Sequence, residues 1–302
     1  MKKLLLLLLM IPTISMAEDK GIDWRIEAQS QAAGTPNQAG IGTFIPLGSE
    51  GFYFDGIAKA SFSDIGNESS LKDTKVSGIG ASSSLRVGQG WRSNNYVFDF
   101  NAGYDTRYMK TGNADNGVNV IDKKNVFYHQ LAYSAAIIVD ETLYVNAYGL
   151  TPVGSTEKRL NNTYVGIALH TYGLDVSYVI NDSLNTALGY YYQDSDTSGG
   201  TVGSGVKAGL DYKINDQLAL APNISYDNGF NTRFSLNLTY QFGTTSDTFS
   251  SLRSNNRDIR VYDPCVVVVS FPNRLPPRAC QQYTPVMSVS YTHLTLPTNR
   301  EV

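Results

Sequence analysis

The sequence predicts an all-β fold, an antiparallel transmembrane outer-membrane β-barrel of about twelve strands. Three observations predict it. Apolar and polar residues alternate along segments of roughly ten residues, the length that a tilted strand needs to cross a bilayer. Tyrosine and glycine are abundant while charged residues are few, and the chain begins with an export signal.

The clearest alternation lies in residues 232–242, with the sequence TRFSLNLTYQF. One face of this segment is apolar and aromatic, and the other is polar from Arg233 to Gln241. We expect the segment to be the closing strand of the barrel and to pair with the first strand, which removes the last free edge. Its expected lipid-facing residues are Phe234, Leu236, Leu238, Tyr240 and Phe242.

The composition favours strands and turns over helices. Charged residues make up 17% of the chain, against about a quarter in ordinary globular proteins, and there are 20 Tyr and 27 Gly. The formal net charge is −3 with both signs mixed, so the sequence does not favour nucleic acid as a partner.

Residues 1–17 are typical of a secretory signal peptide. Lys2 and Lys3 precede a short apolar run at 4–11, and small residues at Ser15 and Ala17 suit cleavage after Ala17. The run is far shorter than the ~20 residues that a membrane helix requires. If the exported chain enters a membrane, we therefore expect it to cross as β-strands.

Residues 18–243 are predicted to form the barrel. Each of its strands has one apolar and one polar face, and Gly173 is interpreted as a bulge or bend in the longest of them. The predicted strands are 24–31, 38–47, 52–62, 76–87, 96–105, 126–139, 143–150, 163–180, 184–193, 206–214, 218–226 and 232–242.

The connections alternate between short and long. Short turns occur at 48–51, 89–94, 140–141, 181–183 and 215–216, whereas longer polar connections begin at positions 64, 107, 152 and 194. Short turns on one side and longer loops on the other are typical of outer-membrane barrels, whose short turns are periplasmic. The predicted location is therefore the bacterial outer membrane.

The polar face of the strands carries charges that we expect to face the lumen. In one interpretation they line a pore and bias which solutes pass; in the other they form salt bridges between strands that fill and stiffen a narrow barrel. A soluble sandwich would instead need Lys and Glu along its exposed face. The predicted lumen charges are Arg25, Glu27, Asp55, Lys59, Arg86, Asp99, Asp105, Lys207, Asp211, Lys213 and Arg233.

No motif in the sequence points to chemistry. His129 and His170 lie on different predicted strands without the spacing of a ligand set or of a catalytic group. Residues 194–199 begin like a calcium loop, but Gly205 stands where the closing acidic residue is needed, and we expect a solvated loop. The sequence predicts no catalytic residues, no cofactor and no metal site, so we do not expect an enzyme.

Four short motifs resemble the β-domain of inverse autotransporters of the intimin and invasin type. They are GIGTFIPL from Gly40, FYFDG from Phe52, GYDTR from Gly103 and SYDNGFNTR from Ser225, within a similarity that covers 24–243. The resemblance implies a twelve-stranded barrel. It also implies a linker that re-enters the pore after the last strand and carries a passenger to the cell surface.

The tail differs from the barrel in composition. Residues 244–287 are interpreted as a linker or the start of a passenger. Cys265 and Cys280 lie in this region, and an exported compartment would allow them to form a disulfide. Residues 288–302, SVSYTHLTLPTNREV, resemble translated sequencing-adapter read-through and are interpreted as non-native.

The leading functional hypothesis is a translocator and membrane anchor for a surface-exposed C-terminal segment, with possible adhesion. The alternatives are a small diffusion channel and, from another class, a secreted soluble β-sandwich that binds glycans. The expected partners are outer-membrane lipid and the barrel-assembly machinery. The second is expected because Phe242 resembles the aromatic C-terminal residue of the signal that the machinery recognises. A host or cell-surface ligand would be bound through a passenger.

Overall fold

Twelve long antiparallel strands form the wall of the protein, as the sequence predicts. The computed structural model describes residues 22–30, 32, 35–47, 51–62, 74–76, 80–114, 121–161, 165–196, 203–242 and 257–262. The wall strands are β1 (Asp23–Gln29), β2 (Asn37–Leu47), β3 (Phe52–Phe62), β5 (Gly80–Ser93), β6 (Tyr96–Ala114), β7 (Asn125–Val139), β8 (Leu143–Pro152), β11 (His170–Asn181), β12 (Leu184–Asp194), β13 (Gly203–Lys213), β14 (Leu218–Asp227) and β15 (Asn231–Phe242).

Among the residues that the structure describes, four short strands lie outside this wall. They are β4 (Thr74–Val76), which pairs with the end of β6, and β9 (Glu157–Arg159), β10 (Val165–Ala168) and β16 (Val261–Tyr262), which form a separate three-stranded sheet. No helix in the described ranges is long and apolar enough to cross a membrane.

The barrel closes where the first strand meets the last. β1 pairs with β2 on one side and with β15 on the other, in a register that sets Trp24 opposite Phe242. The prediction that residues 232–242 close the barrel on the first strand is confirmed. The soluble sandwich hypothesis is wrong because the sheet returns on itself and the wall keeps no open edge.

Three local predictions differ from the structure. The strand predicted at 96–105 continues to Ala114, because Tyr108 and Met109 still pair with β7 although polar residues surround them. The strand predicted at 163–180 is interrupted at Leu169, and its first part leaves the wall as β10. The turn predicted at 89–94 is shorter, because β5 runs to Ser93.

Gly173 is neither a bulge nor a bend. It pairs in register with Tyr148 of β8, and the irregularity of β11 lies between Val179 and Asn181 instead. A Cβ atom at Gly173 would lie 2.4 Å from the ring of Tyr148. The glycine therefore leaves the space that the neighbouring tyrosine ring fills.

The two ends of the barrel differ. The turns at 94–95, 140–142, 182–183 and 214–217 lie at one end, which we call the short-turn end. The longer connections from β3 to β5, β6 to β7, β8 to β11 and β12 to β13 lie at the opposite end, which we call the long-loop end.

The outer surface carries two aromatic clusters along β5, β6 and β7. Near the short-turn end, Trp91 stacks on Phe98 and Phe100 with ring centroids 5.4 and 5.3 Å apart. Toward the long-loop end, Phe127 lies 4.7 Å from Tyr108. About ten residues of tilted strand separate the clusters, which corresponds to about 25 Å across a membrane, the height of a lipid-facing band.

The closing strand presents its apolar residues outward. Phe234, Leu236 and Leu238 are 61%, 37% and 40% exposed, and Tyr240 and Phe242 are half-buried. Arg233 and Thr239 on the opposite face are buried inside the barrel.

We expect Leu238→Arg to lower the free energy of unfolding by about 2–4 kcal/mol, because it places a charge at mid-strand on the lipid side. The matched control is Leu47→Arg, since Leu47 is the exposed last residue of β2 and lies near the membrane boundary. This control should cost no more than about 1 kcal/mol. Urea unfolding in lipid vesicles measures both, and equal costs would contradict the outward assignment of Leu238.

Candidate functional site

The candidate site is the lumen, where the structure places all the predicted charges. Nine of them are buried, and Lys207 and Lys213 are half-buried on the same face of β13 as Asp211. The alternation of the strands directs these side chains inward. The strand periodicity thus brings charges from β1, β3, β5, β6, β13 and β15 into one interior.

Most of these charges contact an opposite charge, on the same strand or on another strand of the wall. Arg25 lies 2.8 Å from Glu27 and 2.8 Å from Asp55, and Lys59 lies 3.2 Å from Glu27. This cluster crosses β1 and β3 and links four side chains. Pairing of this kind offsets part of the cost of removing charges from bulk water.

A second cluster lies between β5, β6 and β7. Arg86 makes a bidentate contact with Asp105, with 2.8 Å between Nη2 and Oδ2, and the amide of Gln130 donates to the same Oδ2 at 2.7 Å. Asp105 has no exposed surface. Farther around the wall, Lys207 lies 2.9 Å from Asp175.

Residues 257–262, which follow the last wall strand β15 in the chain, lie inside the lumen. We call them the lumen segment. Arg257 and Ile259 are 8% and 3% exposed. The guanidinium of Arg257 contacts both carboxylate oxygens of Asp55, so Asp55 joins one arginine of the wall to one of the segment.

Asp258, Ile259 and Arg260 also contact the wall. Asp258 accepts a hydrogen bond from Gln38 at 3.2 Å and lies 4.0 Å from Lys59. Arg107 donates to the main-chain carbonyl of Ile259 at 2.6 Å. The guanidinium of Arg260 lies over the ring of Tyr191, 5.1 Å from its centroid.

These contacts give the segment a direction. Arg257 contacts Asp55, which lies near the short-turn end of β3. At its other end the segment pairs as β16 with β10, inside the long connection between β8 and β11. The chain therefore rises through the lumen from the short-turn end toward the long-loop end.

Small polar cavities remain beside the segment. One of about 70 Å³ is lined by Glu27, Lys59, Lys207, Arg233, Asp258 and Arg260. Another of about 30 Å³ lies between Asp55, Arg86 and Arg257. Spaces of this size hold a few waters, so the segment and the ion pairs occupy most of the lumen that the structure describes.

Sequence reasoning missed three parts of this arrangement. Arg107 falls at the start of a predicted loop, but in the structure it keeps the inward position of β6 two residues beyond Asp105. Residues 165–168 fall within the predicted wall strand 163–180, but they form β10 in a separate sheet. The contact of Tyr191 with Arg260 had no signal in the sequence, because it joins distant parts of the chain.

His129 and His170 lie on the wall strands β7 and β11. His129 lies on the outer face, with its ring 5.7 Å from that of Tyr104. His170 lies 3.0 Å from the exposed Asp196 at the long-loop end. Several sequence predictions fall outside the described residues: the signal peptide, the region 288–302, and Cys265 and Cys280.

Comparison with solved structures supports the fold. A structure solved in a study of the in-meso crystallization of membrane proteins aligns with a TM-score of 0.52 at 12% identity, over 80% of this chain and 99% of its own. The chain has the closed twelve-stranded fold of outer-membrane β-barrels. No protein-family model matches it, and no curated protein matches it in sequence.

Two further outer-membrane barrels are similar. The COG4313 outer membrane channel from Pseudomonas putida F1 has a TM-score of 0.45 at 13% identity, over 76% of this chain and 99% of its own. KdgM porin has a TM-score of 0.43 at 11% identity, over 74% and 99%. At these identities the likeness concerns the fold only.

The expectation that the chain is not an enzyme is corrected by the same comparison. The outer membrane phospholipase A from Escherichia coli also matches, with a TM-score of 0.40 at 14% identity, over 72% of this chain and 91% of its own. Barrels of this class thus include enzymes, and the barrel fold does not decide whether this chain is one.

We expect Asp105→Asn to lower the free energy of unfolding by about 3–5 kcal/mol, because it leaves the buried guanidinium of Arg86 without its counter-charge. The matched control is Glu141→Gln, which removes the exposed ion pair between Arg92 and Glu141, 2.9 Å long. The control should cost about 1 kcal/mol or less. Urea unfolding in vesicles compares them, and similar losses would show that the lumen pair is no stronger than a surface pair.

Proposed function

We propose that this outer-membrane barrel is the translocator and anchor of a C-terminal segment that reaches the cell surface, in the manner of inverse autotransporters. The observation that carries the proposal is the course of residues 257–262. They follow the strand that ends at the short-turn end with Phe242, yet they lie inside the lumen and rise toward the long-loop end.

The physical reason for the course of this segment supports the proposal. A tail left outside the barrel keeps its charges in water, whereas Arg257 and Asp258 lie among charges of the lumen wall. Charged groups are costly to remove from water unless each finds a partner. The wall supplies a partner for each, which is expected if the interior is shaped to take this chain.

The mechanism needs no chemical step. Strand pairing satisfies the backbone of the wall in lipid, and the closed barrel offers the exported chain a polar path. In this proposal the short turns face the periplasm, residues 1–17 are a cleaved signal peptide, and the barrel-assembly machinery inserts the barrel. The barrel then holds the exported chain at the surface, where it can carry an adhesive passenger.

A diffusion channel is the second candidate. The observation that favours it is the presence of polar cavities beside the lumen segment, one of them lined by charges of both signs such as Glu27 and Lys59. In a channel the segment would act as a plug that must move for solutes to pass. The two candidates differ in where the chain beyond Tyr262 is found.

We expect an epitope inserted after Asp263 to bind antibody on intact cells, because the lumen segment points toward the long-loop end. Flow cytometry before and after permeabilisation measures its accessibility. An epitope at the turn after Asp140 should bind only after permeabilisation, and one inserted after Ser198 should bind on intact cells. If the epitope after Asp263 behaves like the one after Asp140, the channel hypothesis replaces the translocator.

A further inference from the structure

The β9–β10 hairpin offers one edge to a polypeptide strand. It lies in the connection between β8 and β11 and takes no part in the barrel wall. β10 pairs with β9 through Val165 and Ile167 on one side. On its other side Ile167 and Ala168 pair in antiparallel fashion with Tyr262 and Val261 of the lumen segment.

This edge of β10 is buried. Val165 and Ile167 have no exposed surface, and Ala168 is 1% exposed. Backbone N–H and C=O groups that are shielded from water need a hydrogen-bond partner, since an unpaired group costs about 1–3 kcal/mol. In the structure Val261 and Tyr262 lie beside this edge of β10 and supply that pairing.

The hairpin is fixed to the barrel wall. The hydroxyl of Tyr128 on β7 donates to the carbonyl of Gly166 at 3.0 Å. The amide of Lys124, just before β7, donates to the carbonyl of Leu160 at 2.8 Å. Within the connection, the amide of Ala168 donates to the carbonyl of Thr156 at 3.0 Å. The edge is thus held at a set position at the long-loop end.

We propose that the edge of β10 opposite β9 is a binding site for extended polypeptide, which takes the exported chain by strand addition and holds it at the mouth of the lumen. This inference rests on the proposed translocator function. Strand addition uses main-chain hydrogen bonds, so the site accepts many side chains. The contacts Arg257–Asp55 and Arg107–Ile259 hold the chain in the lumen just before the site. They therefore determine which residues of the exported chain lie beside β10.

Disulfide trapping tests the register. With Cys265 and Cys280 replaced by serine, Ala168→Cys combined with Val261→Cys should cross-link in the outer membrane, because paired residues of adjacent strands lie within disulfide range. Ala168→Cys with Ile259→Cys is two residues out of register and should cross-link at least tenfold less. Equal cross-linking of the two pairs, or none in either, would overturn the proposal.

A second test separates backbone from side-chain recognition. Proline at both Val261 and Tyr262 removes both N–H donors, whereas alanine at both positions keeps them. In planar bilayers we expect the proline variant to raise the open fraction of the pore roughly tenfold over the wild type, and the alanine variant to leave it unchanged. If the two variants behave alike, β10 does not bind the chain through its backbone.

The results separate this inference from the proposed function. If the cross-link forms but the epitope after Asp263 is reached only after permeabilisation, the β10 site is present and the translocator proposal fails. If the epitope is reached on intact cells but no cross-link forms, the translocator proposal stands and the β10 site is rejected.

Discussion

Backbone hydrogen bonding in a medium without water is the constraint on which this structure depends. In hydrocarbon each N–H and C=O group must find a partner within the protein, and a closed sheet satisfies this requirement for strands. The pairing of β1 with β15 completes that closure. The same requirement applies again inside the lumen, where the buried edge of β10 is completed by two residues of the chain that passes it.

The interior follows a different rule from the wall. Charges there are kept because they are paired, and Asp55 shows how the pairing is shared between barrel and tail. Its carboxylate contacts Arg25 of β1 and Arg257 of the lumen segment. One carboxylate of the wall therefore binds both a wall arginine and an arginine of the lumen segment. This contact is what the proposed function requires of a barrel that holds its own C-terminal chain.

Much of the fold could be predicted from the sequence because period-two alternation is a local signal. Residues 232–242 show it without interruption, and their role as closing strand is confirmed. The alternation did not predict the end of β6, where polar residues such as Arg107 resemble a loop. It also placed Ile167 in the wall, although this apolar residue belongs to another sheet. Contacts such as Arg260 with Tyr191 depend on three-dimensional proximity that periodicity does not encode.

The closure of the barrel also has a kinetic consequence. Trp24 and Phe242, which face each other in the completed wall, lie about two hundred residues apart in the chain, and contacts of such high order form slowly. Until the last strand docks, β1 keeps an unpaired edge that can join a wrong partner or another molecule. Assembly is therefore most vulnerable just before completion, and a factor that shields the edge of β1 would raise the yield of correctly closed barrels.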